Sequence, residues 1–136
     1  MPEDAPACAA ILNDWIDATG WMPRVHPHED VRRHMREVVF AERQVWVCSR
    51  PAGAFLALAD DGFITALYSA HPGRGRGKAL LEHVKRERSY LQLWTFVADT
   101  GARRFYAREG FAEVARTDGD NEEGLADIRF EWKAAA

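Results

Sequence analysis

The sequence predicts a single domain over residues 1–136, of α/β (α+β) class. Its central sheet is mixed but mostly antiparallel, with six to seven strands flanked by about four helices. Three observations carry this. Two segments near the start repeat apolar residues at helical spacing. Three β-branched and aromatic runs then follow one another across short Gly/Pro/Asp turns. After them come a glycine-rich loop, a helix-like stretch and another β-rich run. A unit of that kind favours a parallel strand pair with a crossover helix.

In residues 5–17, Ala9, Leu12 and Ile16 fall at near-helical spacing with Trp15 beside them, and Gly20 ends the helix. Trp21-Met22-Pro23 forms a bulky loop. From Pro27 to Phe40, Val31, Met35, Val38 and Val39 again follow the helical period, while Arg32, Arg33, Arg36 and Glu37 make a polar face. Gln44–Ser49, Ala54–Ala59 and Phe63–Ser69 read as strands joined by the turns Arg50-Pro51-Ala52-Gly53 and Asp60-Asp61-Gly62. Such a run suggests an antiparallel meander. A helix follows from about Gly75 to Arg88, with Leu80, Leu81 and Val84 on its apolar side. Leu91–Val97 is a strand. Asp99-Thr100 supplies an N-cap for a short helix over Gly101–Glu109, and Gly110 occupies its C′ position. Phe111–Arg116 and Ile128–Trp132 are the last strands, joined by an acidic loop. The final strand, if exposed, could pair across a homodimer.

Composition excludes several classes. The chain has 136 residues, 47% hydrophobic and 29% charged, which is ordinary for a globular domain and unlike a disordered chain or coiled coil. The formal net charge of −3 argues against a nucleic-acid partner, which calls for a basic excess. No apolar stretch approaches the roughly 20 residues a bilayer span needs, and the start MPEDAPACAAILNDW lacks a basic n-region. The expectation is a cytoplasmic protein with no membrane partner. Cys8 and Cys48 show no metal or redox spacing and read as free thiols. His26, His28, His34, His71 and His83 show no HxxxH or HExxH spacing, so no metal is expected.

The central signal is Gly73-Arg74-Gly75-Arg76-Gly77-Lys78 between a strand and a helix. Glycines there let backbone N–H groups point into one cavity, and the helix N-terminus adds positive potential. Arg74, Arg76 and Lys78 add charge. The plainer reading is a tight turn with exposed basic residues. A Walker A loop fails, because Ala79 follows Gly77-Lys78 and Pro72 stands at the first glycine position. A Rossmann loop fails on its GxGxG spacing.

These residues resemble the GCN5-related N-acetyltransferase (GNAT) superfamily. Its R/Q-x-x-G-x-G/A motif is matched by Arg74-Gly75-Arg76-Gly77-Lys78-Ala79, or, two residues earlier, by a register that puts Pro72 at the R/Q position and Leu80-Leu81 at the family's leucine pair. LWTFVADTGARRFYAREGF is similar to the family's strand–loop–helix with its A-x-x-F/L-Y-x-x-x-G-F ending, here Ala102 to Phe111. The motifs span about residues 63–116. Asp99 departs from the Asn often found there.

The resemblance implies acetyl transfer from acetyl-CoA to a primary amine in a ternary complex. The acceptor would be a small molecule or a peptide. It implies that N–H groups of residues 73–78 hold the CoA pyrophosphate, that the strand around Ala66, Leu67 and Tyr68 meets the pantetheine, and that a strand N–H such as that of Leu67 polarises the thioester carbonyl. Asp99 and Phe105 would border the cofactor. Tyr106 would protonate the departing thiolate; otherwise Phe105 and Tyr106 simply pack the short helix on the sheet. The general base is open among Asp60, Asp61, Glu29, His26, His28, Glu122 and Glu123. Trp21, Met22 and Pro23 either border the acceptor pocket or pack a loop. The acidic run 118–123 either attracts a cationic acceptor or is a solvated hairpin. A non-catalytic CoA-binding sensor on the same fold is the rival reading.

Overall fold

The computed structural model describes residues 2–49, 52–71 and 75–135. Its elements follow the expected order: α1 (Ala5–Ala18), α2 (His28–His34), a π turn (Met35–Val39), α3 (Phe40–Glu42), β1 (Gln44–Cys48), β2 (Ala54–Leu58), β3 (Ile64–Ser69), α4 (Arg76–Glu87), β4 (Tyr90–Phe96), α5 (Thr100–Arg108), β5 (Ala112–Thr117) and β6 (Asp127–Lys133). Among the described residues, no helix is long and apolar enough to cross a membrane.

The strands number six, and they form two three-stranded sheets rather than one continuous sheet: β1-β2-β3 and β4-β6-β5. All pairings within each sheet are antiparallel. The sheets touch where β3 and β4 begin. Phe63 and Gln92 form a parallel bridge there, and the Gln92 N–H donates to the Gly62 carbonyl at 2.9 Å. Beyond that point the two strands separate.

β2 is buried at every residue, which is why AFLAL shows no polar alternation. Ala54, Leu56 and Leu58 face α4 and join Leu80, Leu81 and Val84 in one core. Phe55 and Ala57 face the other way, against Ala5, Cys8 and Ala9 of α1 and Met35 and Val39 of the π turn. Small residues on that side of α1 let the helix approach the sheet closely. Leu12 packs against the same cluster and, with Trp15 and Ile16, reaches a cavity wall.

The last strand is not an edge. β6 sits between β4 and β5, with Trp132 opposite Leu91 and Ile128 opposite both Thr95 and Arg116. Its ladder groups are used on both sides, so it offers nothing to a second copy. The outer edges are β1 and β5, while β3 and β4 are the edges that face each other across the gap between the sheets. Lys85 is not a freely solvated side chain. Its ammonium lies 5.7 Å from the Phe111 ring centre and 5.4 Å from that of Trp132, and it donates to the Glu109 carbonyl. Lys85 ties α4 to the end of α5.

Candidate active site

The separation of β3 from β4 opens a slot of about 120 Å³. β3 carries an irregularity at its start: Ile64 pairs with Leu58 and Ala66 with Ala57, leaving Thr65 as an extra residue. Such a bulge bends its strand. The Ala70 N–H donates to the Gly53 carbonyl at 2.8 Å, and Gly53–Ala70 continues the β2–β3 register. Hydrogen-bonded and non-bonded pairs alternate along an antiparallel ladder. Ala66 and Tyr68 therefore turn their backbone groups toward β2. Leu67 and Ser69 turn theirs away from β2, on the side where β4 has departed.

The N-terminus of α4 and the body of α5 close the far end. Gly75 caps α4 in a left-handed conformation, φ 76°, which a glycine adopts without strain. A side chain at Gly77 would meet Phe105 Cζ at 3.9 Å and Ser69 Oγ at 4.0 Å, so the end of β3, the first turn of α4 and α5 converge there. Lys78 is exposed, 3.9 Å from Glu82. Arg76 turns its guanidinium back onto Gly53, where even a Cβ would clash. Gly73 and Arg74 lie outside the described residues.

Asp99 caps α5: its Oδ1 accepts from the Ala102 N–H at 3.0 Å. Asp99, Ala102 and Tyr106 all line the slot. Tyr106 is 7% exposed, and its ring meets those of Phe105 (5.1 Å), Phe111 (5.4 Å) and Phe130 (6.0 Å). Burial first, then the nearby Tyr68 and Asp99, drive its hydroxyl well above the ordinary range for tyrosine. The Tyr106 phenol therefore stays neutral throughout physiological pH.

On its other side the slot meets a second cavity of about 820 Å³. Trp15, Thr65, Ala66 and Tyr68 line both. Met22 and Pro23 form part of the large cavity's wall, whereas Trp21 stands between Trp15 (5.9 Å) and Phe96 (5.7 Å). One arginine organises this loop. Arg24 donates to Asn13 Oδ1 at 3.0 Å, to Asp17 Oδ1 at 2.8 Å and to the His26 carbonyl at 3.0 Å. Across the mouth, His26 Nε2 lies 3.0 Å from Glu122 Oε2.

No family model matches the chain. The peptidyl-lysine N-acetyltransferase YiaC of Escherichia coli strain K12 is 28% identical over 109 residues, covering 75% of this chain and 75% of that protein. A GCN5-related N-acetyltransferase from Rhodopseudomonas palustris superposes with a TM-score of 0.74 at 22% identity, covering 98% of this chain and 91% of that one. The acetyltransferase YncA of Salmonella typhimurium, solved with acetyl-CoA, gives 0.73 at 14% identity, covering 100% and 91%. The chain has the fold of the GNAT superfamily.

As a GNAT-fold protein it brings Ala66, Leu67, Tyr68, Asp99 and Tyr106 to one slot and sets Phe105 beside Gly77. Arg76 points elsewhere. Of the seven base candidates, His26, Glu122 and Glu123 line the large cavity. His28 is held by Asp17 at 2.7 Å and Glu29 by Arg32 at 2.6 Å, both away from it. Asp60 and Asp61 lie in the β2–β3 turn. Among the described residues no three His, Cys, Asp or Glu side chains cluster as metal ligands. Burial pushes the Cys8 thiol up to about 12, which removes it as a nucleophile. Sequence reasoning missed Thr65, whose β-rich setting disguises it, and the Asn13–Arg24 pair, which carries no local pattern.

Proposed function

We propose that this GNAT-fold acetyltransferase moves an acetyl group from acetyl-CoA to the primary amine of a peptide lysine, by direct attack in a ternary complex. The observation that carries the reading is the junction of two spaces. A narrow slot holding a neutral, buried Tyr106 opens across Trp15 and Tyr68 onto a roomy cavity. The cofactor enters from the α4 side and the acceptor from the cavity.

The N–H groups at the start of α4, with Lys78 nearby, receive the CoA pyrophosphate. Pantetheine runs along β3, where Leu67 offers backbone groups not used by β2. The Leu67 N–H polarises the thioester carbonyl. The amine nitrogen attacks the carbonyl carbon, the C–N bond forms and the C–S bond breaks. Tyr106 gives its proton to the leaving thiolate and recovers one from the former ammonium. The slot's small volume favours acetyl over a longer acyl chain.

Lysine is the first acceptor to test because YiaC, similar over 75% of this chain, is a peptidyl-lysine N-acetyltransferase. A sensor could fill the acceptor space with Trp15 or Trp21, whereas about 820 Å³ stays open here, which favours the enzyme. Calorimetry with acetyl-CoA, beside ATP and NAD, is the first assay; thiol release with a blocked lysine peptide is the second. Micromolar acetyl-CoA binding with peptide-dependent thiol release is expected. Binding without release to any amine would favour the sensor. No binding by folded protein would refute both.

A further inference from the structure

We infer that Glu123 is the acceptor-side base: from the wall of the acceptor cavity, its carboxylate takes the proton from the incoming ammonium. The inference rests on the acetyl-transfer reading above and supplies the group that reading lacks.

Four carboxylates line the acceptor cavity: Asp30, Glu37, Glu122 and Glu123. Three are engaged. Asp30 is 2.5 Å from Arg33, Glu37 is 3.6 Å from Arg36, and Glu122 is 3.0 Å from His26. Among the described residues Glu123 has no ion pair and no hydrogen bond. An incoming cation thus meets one carboxylate with its acceptor oxygens uncommitted.

The turn that carries Glu123 is a built structure. Asn121 Nδ2 donates to the Leu125 carbonyl at 2.8 Å and to Asp127 Oδ2 at 3.2 Å, and Asn121 Oδ1 accepts from the Leu125 N–H at 3.3 Å. The Ala126 carbonyl accepts from the Val97 N–H at 2.9 Å, fixing the turn to the end of β4, where the slot opens. Glu122, one residue earlier, is pinned across the mouth by His26.

Glu123 and Tyr68 line the same cavity, and Tyr68 also lines the slot. Burial first, then the charges of Asp99 and Glu123, push the Tyr68 hydroxyl up to about 12. The remaining charges around Glu123 are Arg33, His34 and Arg43 on the helical side, His26 at the mouth and Asp99 in the slot.

The chemistry requires such a group. A lysine amine with pKa about 10.4 is neutral in roughly one molecule in 2,500 at pH 7. Glu123 accepts one ammonium proton and passes it to solvent. The nitrogen lone pair then attacks the thioester, and the second proton goes to the Tyr106 phenolate left when the thiolate was protonated. One proton is released per acetyl transferred.

The test is Glu123→Gln, with Glu123→Asp beside it, assayed by thiol release from acetyl-CoA with a blocked lysine tripeptide from pH 6.5 to 9.5. At pH 7 the Gln variant should lose about 10²-fold in kcat/KM. The deficit should shrink about tenfold per pH unit, because free amine replaces the missing base. The acetyl-CoA Kd should stay within twofold, and Asp should recover part of the rate. A deficit equal at every pH, or none, would overturn the inference while leaving acetyl transfer intact. Absence of thiol release from the wild-type protein would instead bring down the acetyl-transfer reading itself.

Discussion

Tyr106→Phe separates a packing role from a chemical one, because the two predict opposite movements. The substitution keeps the ring, and with it the contacts to Phe105, Phe111 and Phe130. Among the described residues no hydrogen bond reaches the hydroxyl it removes. Tyr106 borders the open slot and its hydroxyl is not a buried unpartnered group, so removing it should leave stability within about 0.5 kcal/mol. Turnover should fall about 10²-fold, or about 2.7 kcal/mol of barrier. Burial holds the hydroxyl protonated far above neutrality, so the wild-type rate should show no decline attributable to Tyr106 between pH 6 and 9. Urea unfolding and single-turnover thiol release read the two effects. A drop in stability with unchanged single-turnover rate would refute the reasoning and make Tyr106 a packing residue alone.

Other perturbations test the frame that holds the site. Asp99→Ala removes the acceptor for the Ala102 N–H and should cost about 1 kcal/mol in urea unfolding. Gly75→Ala places a side chain in open space but at φ 76°; it should cost about 1–2 kcal/mol from backbone strain alone, read the same way. Leu81→Ala empties a fully buried position and should cost about 2–5 kcal/mol. Alkaline stability should follow Cys8: the fold keeps its thiol protonated to about 12, while the unfolded thiol ionises near 9.0, so stability falls as pH rises above 9. By pH 10.5 the loss is about 2 kcal/mol, and Cys8→Ala should lack that part of the slope in urea midpoints measured from pH 8 to 10.5.

The elements were legible because their causes are local. The leucine pair of α4, the uninterrupted apolar run of β2 and the Asp99 cap each declare themselves within a few residues. The breaks were not local. Whether β3 and β4 join into one sheet depends on the bulge at Thr65 and on what fills the gap, and neither has a period. The position of β6 between β4 and β5 follows from a chain reversal through a polar turn that reads the same whether the returning strand lands at an edge or in the middle. The π turn left no trace either, since Met35 and Val39 satisfy an α spacing as well.

The same distinction divides the proposed site. Its cofactor half is written in backbone: glycines, a capping aspartate and a strand, contiguous within residues 64–106, so a motif can report it. Its acceptor half is assembled from side chains on α1, the loop after it, the π turn, β3 and the last hairpin. Those residues are ordinary in their own surroundings. The His26–Glu122 contact joins positions 96 apart in sequence, and that contact is what distinguishes Glu122 from its neighbour. Glu122 and Glu123 are identical in type and adjacent in the chain; among the described residues, only the partners of the other cavity carboxylates leave Glu123 as the one with its charge uncommitted. A general base of this kind is defined by subtraction, and subtraction needs the whole fold.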